Sequence, residues 1–170
     1  FMDIHTIGGG IYSYWPVDYS KPIDKEGDWA RSVANVKKVG KIAGEGGEDY
    51  CLEVLNRFEG YILNTSEEAV RFVKEVDVPA VKVMLDNFHM NIEEASVCGA
   101  ICRAGSLVRH VHFVDNTRAV PGMGCMALPD VVACLKAVGY EGFLGIEAIP
   151  GSDPEGEARS GLAFTRALGV

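Results

Sequence analysis

Hydrophobic and polar residues follow one repeating pattern, in which a short continuous apolar run precedes a longer stretch with helical spacing of its apolar positions. Continuous apolar runs are typical of strands buried on both faces, and the longer stretches predict amphipathic helices. The predicted strands cover residues 3–11, 50–55, 80–86, 107–114 and 142–147. In the first of these ranges a short strand runs into a glycine-rich loop. The predicted helices run from about residue 28 to 44 and over 66–76, 92–104, 128–138 and 155–168.

Helix boundaries are predicted from residues that commonly cap helices. Asp28 and Ser66 are expected to be N-caps, since their side chains can accept a hydrogen bond from a free N–H group of the first turn. Gly105 and Gly139 stand where helix C-caps are expected, because glycine readily adopts the left-handed conformation that ends many helices.

Four of the predicted strands end in a residue that can bind a metal ion. These residues are Glu53, Asp86, His112 and Glu147. A lone glutamate or histidine at a strand end usually has a structural role. Four in phase with four successive strands, each after an apolar run, favour a shared divalent-metal site instead.

Five strand–helix units in succession predict a parallel sheet, because each crossover helix returns the chain to the same edge. An open doubly wound sheet and a (βα) barrel both satisfy this order. The barrel brings strand ends together at one face, so the four metal-binding residue types favour it. A complete barrel needs roughly 250 residues, whereas this chain has 170. The predicted fold class is therefore α/β, an incomplete TIM-type parallel barrel of about five units, with residues 1–170 forming one domain.

Composition and charge narrow the partners. The apolar fraction of 48% is ordinary for a globular protein, and the formal net charge of −8 disfavours a nucleic-acid partner. No apolar stretch approaches the roughly 20 residues that span a bilayer, so no membrane partner is expected. The first residues lack a positively charged lead, which argues against a signal peptide. Five cysteines without a CxxC pair are expected to be reduced thiols in a cytoplasmic protein, with Cys98 and Cys102 as small buried residues.

Three carboxylates and one imidazole suit a hard divalent cation, such as manganese, cobalt or magnesium, better than a soft thiolate-type metal. A cation that holds two adjacent substrate oxygens stabilises the enediolate formed when a proton leaves the carbon next to a carbonyl. Two glutamates on opposite sides of that carbon, Glu53 and Glu147, could exchange the proton across its plane and invert the stereocentre. A single base would instead move the proton between neighbouring carbons, which is aldose–ketose isomerisation.

Four segments of the chain have a distinctive sequence: 53–59 (EVLNRFE), 85–94 (LDNFHMNIEE), 110–124 (HVHFVDNTRAVPGMG) and 139–147 (GYEGFLGIE). These segments resemble the D-tagatose/D-psicose 3-epimerase family of the xylose-isomerase-like barrels. The resemblance implies that the chain corresponds to the last five βα units of the barrel. It implies a ketose 3-epimerase that binds a sugar and uses Mn²⁺ or Co²⁺, with Mg²⁺ as a further possibility. A homo-oligomer is expected because a five-unit piece leaves two barrel edges unpaired, and such edges favour self-association.

The same resemblance implies roles for individual residues. Glu53, Asp86, His112 and Glu147 would bind the metal, and Glu53 and Glu147 would also be the acid–base pair. Glu59, His89 and Arg118 match positions that hold the oxygens at the C1–C2 end of the ketose, and Trp15 resembles an apolar wall beside the sugar. The chemistry of the first three agrees, since His89 and Arg118 can donate to sugar oxygens and Glu59 can accept from a hydroxyl.

Three other functions stay open at this point. The first is an aldose–ketose isomerase of the same barrel class, similar to hydroxypyruvate isomerase. The second is an abasic-site endonuclease with a related barrel, which needs more histidine ligands than the four histidines here readily supply. The third is a metal-binding but inactive barrel fragment, since no counterpart of the family's first three units is present.

Overall fold

The computed structural model describes residues 4–170, and its centre is one sheet of five parallel strands in the order β1-β2-β3-β4-β5. The strands are β1 (Thr6–Gly9), β2 (Asp49–Glu53), β3 (Val81–Asp86), β4 (Val108–His112) and β5 (Leu144–Gly145). Each predicted strand is therefore present, although residue 3 of the first prediction lies outside the described residues. The sheet curls into a half-barrel, and the predicted incomplete TIM-type barrel is confirmed.

Helices alternate with the strands. They are α1 (Lys25–Glu45), α2 (Ser66–Val76), α3 (Asn87–Glu93), α4 (Val97–Ala104), α5 (Leu128–Ala137) and α6 (Pro154–Ala167), with a short 3-10 helix at Gly105–Leu107. None of the helices in the described part of the chain is both long and apolar enough to cross a membrane.

The core lies between the outer face of the sheet and the helices. Leu52, Leu85 and Val111 of three successive strands are buried in one apolar cluster with Phe72 of α2 and Ile101 of α4. Because side chains alternate across a strand, the residues next to them face the concave side. The strand residues on that side thus include Glu53, Asp86 and His112, so polar side chains lie on the concave face of the sheet.

Two helices begin at other residues than the sequence predicts. Asp24, not Asp28, caps α1, since its carboxylate accepts from the N–H of Gly27 at 3.0 Å. The carboxylate of Asp28 is instead occupied by the hydroxyl of Tyr61 and by Arg31. Thr65 rather than Ser66 caps α2, and it forms a reciprocal capping box with Glu68.

The single helix predicted over residues 92–104 is two helices. α3 starts directly after β3, and Glu94 then adopts an extended conformation. Ser96 caps α4 by accepting from the N–H of Gly99 at 3.1 Å. The break occurs because this serine offers a new N-terminus, and it leaves α3 as a short helix attached to the end of β3.

The expectation of five reduced thiols is wrong, because a disulfide joins Cys98 of α4 to Cys134 of α5. These helices are neighbours, and the Cα atoms of the two cysteines are 5.7 Å apart, which suits a disulfide. Cys102, expected to be buried, is exposed, as is Cys125, whereas Cys51 is buried within β2.

Candidate functional site

The four predicted metal ligands meet at the carboxyl ends of the strands. Glu53, Asp86 and His112 are the last residues of β2, β3 and β4, and Glu147 follows β5 closely. One candidate ligand atom from each lies within 4.8 Å of every other. Parallel strands of a curled sheet point their carboxyl ends towards one axis, so residues far apart in sequence become neighbours here.

The imidazole of His112 lies among the three carboxylates. Its Nδ1 is 3.1 Å from Oε1 of Glu53, 3.3 Å from Oε2 of Glu147 and 3.6 Å from Oδ2 of Asp86. Burial opposes a charged imidazole, but the three nearby carboxylates outweigh this effect and raise the pKa of His112 to about 11. The carboxylates thus favour the protonated form of this imidazole in the absence of a metal ion.

The pKa values of two of these carboxylates, Asp86 and Glu147, shift in the opposite direction. Burial alone would raise the pKa of Asp86, but the nearby charges of His112, His89 and Arg118 lower it. The hydrogen bond with His112 also lowers the pKa of Glu147, against the effect of its burial. Both groups therefore favour the ionised form that a metal ion requires.

Asp86 provides the clearest sign that the site fits a cation. Its Oδ1 accepts from the N–H of Phe88 at 2.7 Å and caps α3. Its Oδ2 is buried and makes no hydrogen bond in the described part of the chain, although nitrogens of Arg118, His112 and His89 lie 3.5–3.8 Å away. A buried carboxylate oxygen without a partner is costly, and coordination of a divalent cation would satisfy it. Three carboxylates and one imidazole form a donor set that fits such an ion.

Asn87 fixes the relative position of β3 and β4 at this end. Its Oδ1 accepts from the N–H of Val114 at 3.0 Å, and its Nδ2 donates to the carbonyl of the same residue. Asn87 is fully buried and follows Asp86, while Val114 lies shortly after His112. One side chain thereby ties together the segments that carry two of the candidate ligands.

A cavity of about 440 Å³ borders the cluster and contains all four residues expected to hold a sugar. Glu59, His89, Arg118 and Trp15 line it together with Glu53 and Glu147. His89 is almost fully buried and Trp15 is 66% exposed at the rim. The structure therefore brings the predicted ligands and the predicted sugar-binding residues to one place.

Arg118 contacts both the candidate metal ligands and the residues expected to hold a sugar. Its guanidinium contacts Glu147 and lies 3.5 Å from Oδ2 of Asp86 and 4.9 Å from the ring centroid of Phe88. Its backbone has a φ of 61°, which is uncommon for a residue other than glycine. Its carbonyl accepts from the N–H of Ile149 at 2.8 Å, so this loop is fastened to the segment after β5.

Three buried polar residues at the site were not singled out from the sequence. Asn56 contacts both Glu59 and His89. Asn87 joins the two strand ends, and Asp115 accepts from the N–H groups of Gly122 and Met126 in the loop that carries Arg118. The only signal in the sequence was a polar residue directly after an apolar strand, which does not distinguish a buried support from an exposed loop residue.

A larger cavity of about 920 Å³ opens at the opposite end of the sheet, where the strands begin. Its charged residues include Asp49 and Arg109, which form an ion pair at 2.6 Å. Among the described residues, the one cluster suited to a metal ion lies at the other end. The smaller cavity is therefore the candidate functional site.

A parallel half-barrel with a carboxylate-rich cluster at its strand ends defines a (βα)-barrel protein with a candidate divalent-metal centre. A family model described as xylose isomerase-like TIM barrel matches residues 4–168. The chain belongs to this family.

Relatives of the chain include proteins named as epimerases, which are isomerases. The chain is 54% identical over 146 residues to D-psicose 3-epimerase of Ruminiclostridium cellulolyticum, covering 86% of this chain and 50% of that protein. It is 49% identical, with the same coverage, to D-psicose 3-epimerase of Agrobacterium fabrum. A solved structure of D-psicose 3-epimerase with D-tagatose from Clostridium cellulolyticum H10 superimposes with a TM-score of 0.91 at 45% identity, covering 98% of this chain and 65% of that one. The chain spans about half the length of the curated relatives it matches.

Proposed function

We propose that this protein is a metal-dependent ketose 3-epimerase that inverts C3 of a free ketose of the D-psicose, D-fructose or D-tagatose type. The observation that carries the proposal is the position of Glu53 and Glu147, which belong to the same metal-type cluster and line the same cavity. The names of the relatives, D-psicose 3-epimerases, support the same reaction and substrate class.

Glu53, Asp86, His112 and Glu147 would hold the cation, for which Mn²⁺ or Co²⁺ is proposed and Mg²⁺ is a further possibility. When bound, the cation would stabilise the negative charge that develops on the C2 oxygen as C3 loses its proton. The buried Oδ2 of Asp86, which makes no hydrogen bond among the described residues, and the lowered pKa values of Asp86 and Glu147 support this assignment.

Glu53 and Glu147 are the proposed acid–base pair. One carboxylate removes the proton from C3, and the electron pair of that C–H bond moves into the C2–C3 bond as the C2 carbonyl becomes an enediolate oxygen. The other glutamate, as the acid, returns a proton to the opposite face of C3, and the carbonyl at C2 re-forms. No atom is gained or lost, and only the configuration of C3 changes. General acid–base groups of this kind contribute typically 10²–10⁴-fold to a rate.

Four further side chains are proposed to orient the sugar. His89 and Arg118 would donate hydrogen bonds to the oxygens at C1 and C2, and Glu59 would accept from a hydroxyl. Trp15 would offer an apolar face at the rim of the cavity. Their common position around one cavity, next to the proposed acid–base pair, supports these roles.

The test is proton NMR of D-fructose with this chain and Mn²⁺ in D₂O. The proposal expects the H3 signal to decrease and the signals of D-psicose to appear. Glu147→Gln is expected to lower the rate by about 10²-fold or more, because amide nitrogen and oxygen cannot exchange this proton. Glu155→Gln, an exposed change on α6, is the control and is expected to retain the wild-type rate.

Other outcomes select the other candidates. Appearance of an aldose, with the carbonyl moved from C2 to C1, would assign aldose–ketose isomerisation. The partial coverage of the relatives favours a second candidate, a metal-binding but inactive fragment. Metal binding without turnover of D-fructose or D-tagatose would select that candidate and contradict the proposal.

We also propose that copies of the chain associate into a homo-oligomer. β1 and β5 are the outermost strands of the sheet, and each has one edge without a strand partner among the described residues. Exposed strand edges favour association with another chain. Size-exclusion chromatography with light scattering tests this, and a monomer at every concentration would contradict it.

A further inference from the structure

Tyr12 lies in the loop after β1, among residues that line the cavity of about 440 Å³. Four of its neighbours in the loop line that cavity, namely Gly10, Ile11, Ser13 and Trp15. Tyr12 itself is only 6% exposed and belongs to the apolar core. It therefore supports the cavity from behind rather than forming its surface.

Three contacts hold Tyr12 in place. Its ring packs against Phe72 of α2, with the ring centroids 6.2 Å apart. Its carbonyl accepts from the hydroxyl of Ser32 of α1 at 2.5 Å. Its own hydroxyl is buried and donates to the carbonyl of Glu53 at 2.7 Å. One residue thereby attaches the loop to α1, to α2 and to the end of β2.

The hydroxyl of Tyr12 takes the place of a hydrogen bond of the sheet. β1 ends at Gly9, one residue before the position opposite Glu53. Asp49 of β2 donates its N–H to the carbonyl of His5 at 3.0 Å, and in a parallel strand every second residue bonds to the same neighbouring strand. The carbonyl of Glu53 therefore faces the side of β1, where a longer β1 would supply an N–H group and Tyr12 supplies its hydroxyl.

This bond limits where the carboxylate of Glu53 can lie. Glu53 is the last residue of β2, at a point where β1 no longer flanks the strand. Its Oε1 is 3.1 Å from Nδ1 of His112, so a shift of the Glu53 backbone would change its distance from the other candidate ligands. Groups that hold a metal ligand in place commonly affect the affinity for the metal as well.

We propose that Tyr12 is a positioning residue, whose hydroxyl holds the backbone of Glu53 where β1 has ended and so keeps the Glu53 carboxylate in the metal-type cluster. Tyr12 acts only through Glu53. The role of Glu53 as a metal ligand rests on the proposed function, whereas the attachment of the loop to β2 does not.

The first test is the Mn²⁺ affinity of Tyr12→Phe, which removes the hydroxyl and keeps the ring that packs against Phe72. Circular dichroism checks that the variant is folded, and a titration with Mn²⁺ gives the affinity. The affinity is expected to be lower than that of the wild type by about tenfold. A hydrogen bond with a structural role alone would change stability and leave the Mn²⁺ affinity unchanged. Equal affinity in a folded Tyr12→Phe chain would therefore overturn the proposal.

Tyr140→Phe is the matched control. The hydroxyl of Tyr140 also donates to a backbone carbonyl at 2.7 Å, that of Phe143. Tyr140 lines the larger cavity, at the opposite end of the sheet from the cluster. The same chemical change is thus made far from the candidate ligands, and Tyr140→Phe is expected to bind Mn²⁺ as the wild type does.

The second test uses the wild-type chain alone. Coupling between two sites is reciprocal, so Mn²⁺ bound at the cluster is expected to hold the loop of Tyr12 more firmly. The N–H of Ser13, which donates to the carbonyl of Gly10 at 3.2 Å, is expected to exchange with D₂O more slowly when Mn²⁺ is bound, by up to about tenfold, because reciprocity gives the loop the same factor. Mass spectrometry of a peptide that covers residues 10–15 measures this exchange. An exchange rate that Mn²⁺ leaves unchanged would overturn the proposal without reference to any variant.

Turnover separates this proposal from the proposed function. Weaker Mn²⁺ binding by Tyr12→Phe, together with no turnover of D-fructose by the wild type, would reject the epimerase and keep the role of Tyr12. Turnover by the wild type, with equal Mn²⁺ affinity in Tyr12→Phe, would reject the role of Tyr12 alone. Absence of Mn²⁺ binding by the wild type would reject both.

Discussion

A single carboxylate, that of Asp86, connects the fold to the chemistry. One oxygen caps α3, and the other is buried in the metal-type cluster without a hydrogen-bond partner among the described residues. The cap holds the carboxylate in one orientation, so the second oxygen cannot turn away from the cluster. The residue that ends β3 thus starts α3 and aims a ligand atom at the same time.

Asn87 gives a prediction about stability at the residue scale. Asn87→Ala removes both hydrogen bonds to Val114 and leaves buried backbone groups unpaired, so unfolding free energy is expected to fall by about 1–3 kcal/mol. Urea denaturation followed by circular dichroism measures this change. Asn91→Ala, an exposed change on the same helix, is the control and is expected to stay within about 0.5 kcal/mol of wild type. Equal stability of the two variants would contradict the role given to Asn87.

Sequence could predict the site residues that end strands but not those that support them. Glu53, Asp86 and His112 each follow an apolar run, and this position alone places them at one end of a parallel sheet. Asn56 and Asn87 occupy similar positions, yet their partners come from other segments. Their roles depend on side-chain directions that no local pattern specifies.

At the scale of elements, the cap of α2 stabilises the helix that covers the outer face of β2 and β3. Thr65→Ala removes the hydroxyl that accepts from the N–H of Glu68 at 3.2 Å. The expected loss is about 1 kcal/mol, which corresponds to a Tm about 2–4 °C lower for a chain of this size. Thr65→Ser keeps the hydroxyl and is the control. Differential scanning calorimetry measures the Tm of the wild type and of both variants. An unchanged Tm in Thr65→Ala would contradict the capping box.

The order and type of the elements were predictable because apolar periodicity reflects which face of each element is buried. The exact residues at which the helices begin were less predictable. Thr65 and Ser66 are both good caps, and only the reciprocal bond with Glu68 selects the first. Similarly, Asp24 and Asp28 could each cap α1, and a hydroxyl from Tyr61, distant in sequence, occupies the second.

At the scale of the whole molecule, the Cys98–Cys134 disulfide connects two neighbouring helices of the outer layer. A thiol titration of the denatured, unreduced chain is expected to find three free thiols, from Cys51, Cys102 and Cys125. Reduction is expected to lower the unfolding free energy by about 2–4 kcal/mol, because the unfolded chain gains conformational entropy when the bond is removed. Five reactive thiols before reduction would contradict the bond.

The metal centre is the feature on which the whole account depends, because four segments of the chain converge on it. Titration of the chain with Mn²⁺ tests this convergence most directly. The amount of free Mn²⁺ is measured by electron paramagnetic resonance, and the bound amount is the difference. Asp86→Asn is the variant of choice, since an asparagine oxygen can still cap α3 while the ligand oxygen is replaced by a nitrogen donor group. Asp130→Asn, at an exposed position of α5, is its control.

The account predicts one Mn²⁺ bound per wild-type chain, the same binding in Asp130→Asn, and affinity lower by about tenfold or more in Asp86→Asn. Absence of Mn²⁺ binding by the wild-type chain, or equal binding by Asp86→Asn, would contradict it.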